Sequence, residues 1–96
     1  MDNLAKGPEI FGLAQVEAAI VGIVAKHAEF AGKGAKSVDL DDDLFSDLAL
    51  HDFGIYSVEL DIEDKFGVTL RAVDIETSRT PRDLVNATMK VLNHGA

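Results

Sequence analysis

Residues 53–66 read "FGIYSVELDIEDKF", and the fold turns on whether they form a strand or a helix. Tyr56, Val58, Leu60 and Ile62 alternate with Ser57, Glu59, Asp61 and Glu63. Taken alone, that alternation is a strand pattern. Wound as a helix, the segment carries two apolar stripes on nearly opposite faces: Phe53, Tyr56 and Leu60 on one, Ile55, Val58, Ile62 and Phe66 on the other. The surroundings favour the helix. No second segment reads as a convincing strand to pair with it, and an isolated strand is not stable in water. Helical patterns also flank it on both sides.

On the N-terminal side, Leu13, Val16, Ile20, Ile23, Val24, His27 and Phe30 recur at steps of three and four, the mark of a helix with one apolar face. Pro8 suits a first helical position, so this helix is expected over about 8–30, with residues 1–7 as a loose leader and 8–96 as a single domain. "AGKGAKS" at 31–37 reads as a loop. In "DLDDDLFSDLAL", Asp41 to Asp43 are placed to cap a short helical turn through Leu44, Phe45 and Leu48.

On the C-terminal side, Gly67 fits the left-handed residue that ends a helix. "RAVDIE" at 71–76 is expected to make one short turn. Thr80, Pro81 and Asp83 then give a start signal: a hydroxyl cap, a proline at the first helical position and a negative charge in the first turn. Leu84, Val85, Met89, Val91 and Leu92 supply the apolar face of a last helix to about Asn93. The expected fold class is all-α: a small bundle of three main helices plus one or two short ones.

Composition bounds the function. The chain has 96 residues and 47% hydrophobic content, enough for one small folded domain but not for a deep active-site cleft. Seventeen acidic against nine basic residues leave a net charge of −8. That charge repels nucleic acid and anionic lipid, and it favours partners with basic patches. There is no cysteine, which excludes disulfides, thiolate nucleophiles and zinc–thiolate sites. "LAQVEAAIVGIVA" at 13–25 is too short and too polar to span a bilayer, and a basic start followed by an apolar run is missing. The expectation is a cytoplasmic monomer.

Four strings taken together, "LFSDLAL" at 44–50, "HDF" at 51–53, "LDIEDKFGVTL" at 60–70 and "TPRDLV" at 80–85, resemble an acyl carrier protein. The resemblance covers roughly residues 12–93. It implies an acidic Asp-Leu pair, here Asp47-Leu48, then an Asp-Ser-Leu motif whose serine carries 4'-phosphopantetheine. A helix ending in Glu-Glu-x-Phe-Gly follows, here closing on Phe66-Gly67. In that family the second helix buries one stripe and presents the other to partner enzymes, which is what two apolar faces on one helix are suited to.

The departure from the family is specific. In the gap-free register His51-Asp52-Phe53 stands where Asp-Ser-Leu belongs, so the attachment position is Asp52. A rival register, aligned on "VEL" at 58–60, puts Gly54 there and breaks the spacing to Phe66. Neither supplies a hydroxyl, and Ser57 sits too far along the helix to match. Glu59 replaces an apolar family position near the buried stripe. Attachment needs a hydroxyl oxygen that attacks the β-phosphate of coenzyme A and leaves a phosphodiester; a carboxylate cannot make that stable ester. Phe53 after the vacant position is similar to a subset of carriers with Ser-Phe there, some related to aminoacyl carriers.

Each candidate residue also has a plain structural reading. Asp52 is a good N-cap, suited by its charge to the positive end of a helix dipole, as well as a possible mimic of the missing phosphate. Glu63 and Asp64 match acidic docking positions of the family, or are simply a solvated face. Phe53, Tyr56 and Leu60 form an exposed docking stripe, or belong to the core. Asp39, Asp41, Asp43 and Asp47 fall at calcium-loop positions, but Leu44 stands where the turn glycine belongs and Leu50 where the bidentate glutamate belongs, so no metal site is expected. His27 is expected to be partly buried and hydrogen-bonded. His51 beside Asp52 makes no catalytic pair, because adjacent helical residues do not face one point and no nucleophile motif lies nearby.

The expectation is a non-enzymatic acyl or aminoacyl carrier of the kind used in fatty acid or polyketide biosynthesis. It would dock on synthase, ligase or transferase partners and stay without its arm. A phosphopantetheinyl transferase would be a partner only with serine at position 52. The alternative is a pseudo-carrier, a binding module that regulates or scaffolds a synthase without covalent cargo.

Overall fold

The computed structural model of the chain describes residues 11–30, 38–51 and 53–94. Helix α1 spans Leu13–Phe30, α2 Phe53–Phe66, α3 Ala72–Glu76 and α4 Pro81–His94, with no strand among the described residues. This is the all-α arrangement expected: three main helices and one short one. None of the described helices is long and apolar enough to cross a membrane.

Residues 53–66 are helical because the core needs one of their two stripes. Val58, Ile62 and Phe66 are buried, and Ile55 packs against them from the edge. Val16, Ile20, Val24 and Ala28, each four residues on from the last, line the buried face of α1. That face packs against both α2 and α4. From α4 come Leu84, Val85 and Ala87, with Thr88 fully buried because its hydroxyl donates to the Leu84 carbonyl at 2.8 Å.

Local chemistry sets the helix ends. The expected start of α1 at Pro8 lies outside the described residues, but Phe11 and Gly12 are not helical and α1 begins at Leu13. There the Gly12 N–H donates to Gln15 Oε1 at 2.8 Å, the reciprocal half of a capping box. Leu13, expected on the apolar face, is half-exposed at this end. Phe11 instead closes the core, meeting Phe66 edge-to-face with centroids 4.9 Å apart. At the end of α2, Gly67 takes φ +66°, and the Glu63 carbonyl accepts the N–H groups of both Gly67 and Val68. At α4, Asp83 N–H donates to Thr80 Oγ1 at 3.1 Å, and Thr80 N–H donates back to Asp83 Oδ2 at 3.2 Å. The start signal read from Thr80, Pro81 and Asp83 is realised in full.

The segment 38–51 adds Val38, Leu44, Leu48 and Leu50, all buried, to the core. Asp43 organises it. Its Oδ1 accepts the N–H groups of Phe45 and Ser46, both at 2.8 Å, while Asp43 N–H donates to Asp47 Oδ2 at 2.7 Å. The expected turn through Leu44, Phe45 and Leu48 is present as a run of turns, and it closes on Ala49 at φ 56°. A strap then ties this segment to the start of α4. Leu44 N–H donates to the Arg79 carbonyl and Arg82 N–H to the Leu40 carbonyl. The Arg82 guanidinium forks onto the Asp41 carboxylate at 2.8 and 3.1 Å. Arg79 reaches Asp43 Oδ2 at 3.0 Å, with its guanidinium carbon 5.2 Å from the Phe45 ring centroid.

Candidate functional site

Because Val58, Ile62 and Phe66 take the inner face of α2, its second stripe is left in solvent. Phe53 is 84% exposed, Tyr56 55% and Leu60 45%. These are three of the five large hydrophobic side chains that are exposed among the described residues. Both stripes read from the sequence are therefore present, one turned in and one turned out.

Carboxylates flank the outer stripe, and they are not equivalent. Asp64 is exposed. Glu63, half-buried, is engaged internally: its Oε2 accepts the Leu70 N–H at 2.8 Å and holds the loop that follows Gly67. Asp61 lies on the opposite flank, 2.7 Å from His27 Nε2 and 3.6 Å from Lys26 Nζ. The His27 hydrogen bond, aided by the Lys26 charge, holds the Asp61 carboxyl below its ordinary range. His27, with 14% of its side chain exposed, is the partly buried, hydrogen-bonded histidine expected, and it joins α1 to α2. Glu59, half-buried, makes no hydrogen bond or ion pair with a described residue. Burial first and the Glu63 charge second raise its carboxyl above the ordinary value.

Asp52, the position matched to the attachment serine, lies outside the described residues. Its neighbours His51 and Phe53 are both exposed. The His51 carbonyl accepts the Gly54 N–H at 2.7 Å, and α2 starts at Phe53. Gly54, the rival position, is the second residue of α2, where a Cβ would stand 3.2 Å from Leu50 Cδ2. Ser57 lies in the second turn and is half-buried. It lines a groove of about 390 Å³ between His27, the bend at 49–51 and the first turn of α2. The sequence has no hydroxyl among residues 50–54, where α2 begins.

The aspartates at calcium-loop spacing are all engaged in local structure. Asp41 and Asp43 pair with Arg82 and Arg79, and each pairing holds its carboxyl low. In Asp43 the N–H groups of Ser46 and Phe45 contribute more than the arginine. Asp39 Oδ1 accepts the Asp41 N–H, and Asp42 Oδ2 accepts the Asp39 N–H. Among the described residues no group of three or more metal-ligating side chains is placed to hold an ion. Sequence reasoning missed the internal role of Glu63 and the lack of a partner for Glu59 among the described residues, since both depend on what packs beside α2.

Comparison with known proteins agrees with the resemblance. Residues 21–88 match the family model described as phosphopantetheine attachment site. No curated protein and no solved structure matches the chain. The match spans the second half of α1, the 38–51 segment, α2, α3 and the first half of α4. Members of this family are carrier domains that bear 4'-phosphopantetheine and dock on biosynthetic enzymes, and this chain belongs to the phosphopantetheine-attachment carrier family.

Proposed function

We propose that the chain is a cytoplasmic, monomeric acyl or aminoacyl carrier protein that presents α2 to synthase, ligase or transferase partners and remains in the apo form because Asp52 occupies the attachment position. The observation that carries this reading is the outer stripe of α2: Phe53, Tyr56 and Leu60 are exposed on a helix whose opposite face is the core, in a chain of the carrier family. Three apolar side chains in one row are the anchors a helix offers to a groove. The net charge of −8 draws that helix toward basic surfaces. The start of α2 at Phe53 supports the register that puts Asp52, one residue before the helix, at the attachment position.

The second reading is a pseudo-carrier that regulates or scaffolds a biosynthetic complex without cargo. Asp52 favours it, since a carboxylate holds negative charge near the place of the family's phosphate but forms no ester. The deciding measurement is the intact mass of the Asp52→Ser variant, beside the parent, after incubation with coenzyme A and a broad-range phosphopantetheinyl transferase. A gain of one phosphopantetheine on the variant alone makes the chain a carrier disabled at one residue. No gain on either makes the pseudo-carrier reading the better one.

A further inference from the structure

The approach to position 52 is braced from the start of α4. Arg79 is fixed there by three contacts. Its N–H donates to Asp83 Oδ2 at 2.8 Å, its carbonyl accepts the Leu44 N–H at 2.8 Å, and its guanidinium reaches Asp43 Oδ2 at 3.0 Å. The same guanidinium stands over the Phe45 ring, its carbon 5.2 Å from the centroid. Phe45 in turn meets the His51 imidazole, with centroids 6.2 Å apart and planes 30° from parallel, within the range of interacting ring pairs. The backbone repeats the connection. The Phe45 carbonyl accepts the Ala49 N–H, the Leu44 carbonyl accepts the Leu50 N–H, and the His51 carbonyl accepts the Gly54 N–H in the first turn of α2. Arg79, Phe45 and His51 therefore make a row from the cap of α4 to the residue beside position 52. His51 is exposed, so core packing does not fix its ring, and Phe45 supplies a contact that does.

We propose that Arg79 and Phe45 are positioning residues for position 52: by holding His51 they set how a group at that position is presented to a partner's active site. The inference rests on the carrier reading above and concerns presentation rather than docking. The outer stripe of α2 decides how tightly a partner holds the chain. The row decides whether the reacting oxygen of a docked chain lies in line for transfer, a placement on which rate depends steeply. Arg82 supplies the internal comparison. It ties the same segment to α4, but its guanidinium pairs with Asp41 and not with Asp43 or Phe45.

The test follows loading of the Asp52→Ser chain by coenzyme A and a broad-range phosphopantetheinyl transferase, read as intact mass against time. In that reaction the serine oxygen bonds to the β-phosphorus, the bond from that phosphorus to adenosine 3',5'-bisphosphate breaks, and the hydroxyl proton is released. Arg79→Ala and Phe45→Leu, each added to Asp52→Ser, are expected to lower kcat about fivefold and to leave KM within about twofold. Phe45→Tyr keeps the ring and is expected to keep kcat. Arg82→Ala is expected to lose stability as Arg79→Ala does, yet to keep kcat, which separates placement from general loosening. In the parent chain, NMR shifts of the His51 ring protons are expected to move in Phe45→Leu and to stay in Arg82→Ala. Loading of Asp52→Ser with kcat unchanged in both Arg79→Ala and Phe45→Leu overturns the inference and leaves the carrier reading standing. An equal fall of kcat in Arg82→Ala also overturns it, because any loosening of the strap would then suffice. No loading of Asp52→Ser overturns the carrier reading, and the inference falls with it.

Discussion

His27 Nε2 on α1 and Asp61 Oδ2 on α2 lie 2.7 Å apart and join the core helix to the helix that carries the exposed stripe. Lys26 Nζ stands 3.6 Å from the same oxygen. Replacing Asp61 with Asn leaves two donors facing a neutral amide. Urea unfolding of Asp61→Asn is expected to show a loss of about 1 kcal/mol, the low end for a charge-assisted hydrogen bond at a partly exposed site. An unchanged midpoint would mean that solvent already screens the pair.

Acid should unfold the chain through carboxylates far apart in sequence. Asp41, Asp43 and Asp61 all have folded pKa values depressed below the ordinary 3.8. A depressed carboxyl contributes stability that is fully present above its unfolded pKa and is lost as pH falls through the folded one. Stability is therefore expected to be steady in this respect above about pH 5 and to fall progressively below about pH 4. Arg79→Ala and Arg82→Ala, which remove the partners of Asp43 and Asp41, are expected to be less stable at neutral pH and to show a shallower acid limb. Thermal melts of the three proteins from pH 7 to pH 2.5 measure both effects.

Two faces of one helix should respond oppositely to truncation. Ile62 is fully buried, so Ile62→Ala is expected to cost about 3 kcal/mol through lost transfer energy and a residual cavity. Phe53 is 84% exposed, so Phe53→Ala is expected to leave stability within about 0.5 kcal/mol while weakening transferase binding. Equilibrium denaturation and binding, run on both variants, separate core from docking face. A large stability loss in Phe53→Ala would place that ring in the core.

Backbone strain at Ala49 offers a gain. A non-glycine residue at φ 56° carries a steric penalty of about 1–2 kcal/mol, against roughly 0.5–1 kcal/mol of extra chain entropy for glycine. Ala49→Gly is expected to stabilise the fold by about 0.5–1 kcal/mol. Gly67, at φ +66°, should behave in reverse: Gly67→Ala is expected to lose about 1 kcal/mol. Denaturant midpoints of the two variants should move in opposite directions.

The chain order of helices could be read from local chemistry. Thr80, Pro81 and Asp83 mark a helix start through contacts within four residues, and Gly67 marks an end through its own freedom of φ. Such signals need no tertiary partner, which is why α4 and the end of α2 begin and stop where the residues indicate. The family resemblance, carried by short strings at set spacing, likewise needed only the sequence.

Tertiary structure decided the rest. Residues 53–66 fit a strand or a helix by period alone, and only packing against α1 shows which stripe is buried and which is free. The sequence rejects a calcium loop at 39–50 through Leu44 and Leu50, but it does not show that Arg79 and Arg82, 36 and 41 residues further on, close upon Asp43 and Asp41. Glu59 and Glu63 are both glutamates on one helix. The Leu70 N–H, brought back by the turn at Gly67, reaches Glu63, whereas no described residue pairs with Glu59. A carboxylate's role depends on the groups that surround it in space, and those groups come from chain segments that no local pattern links.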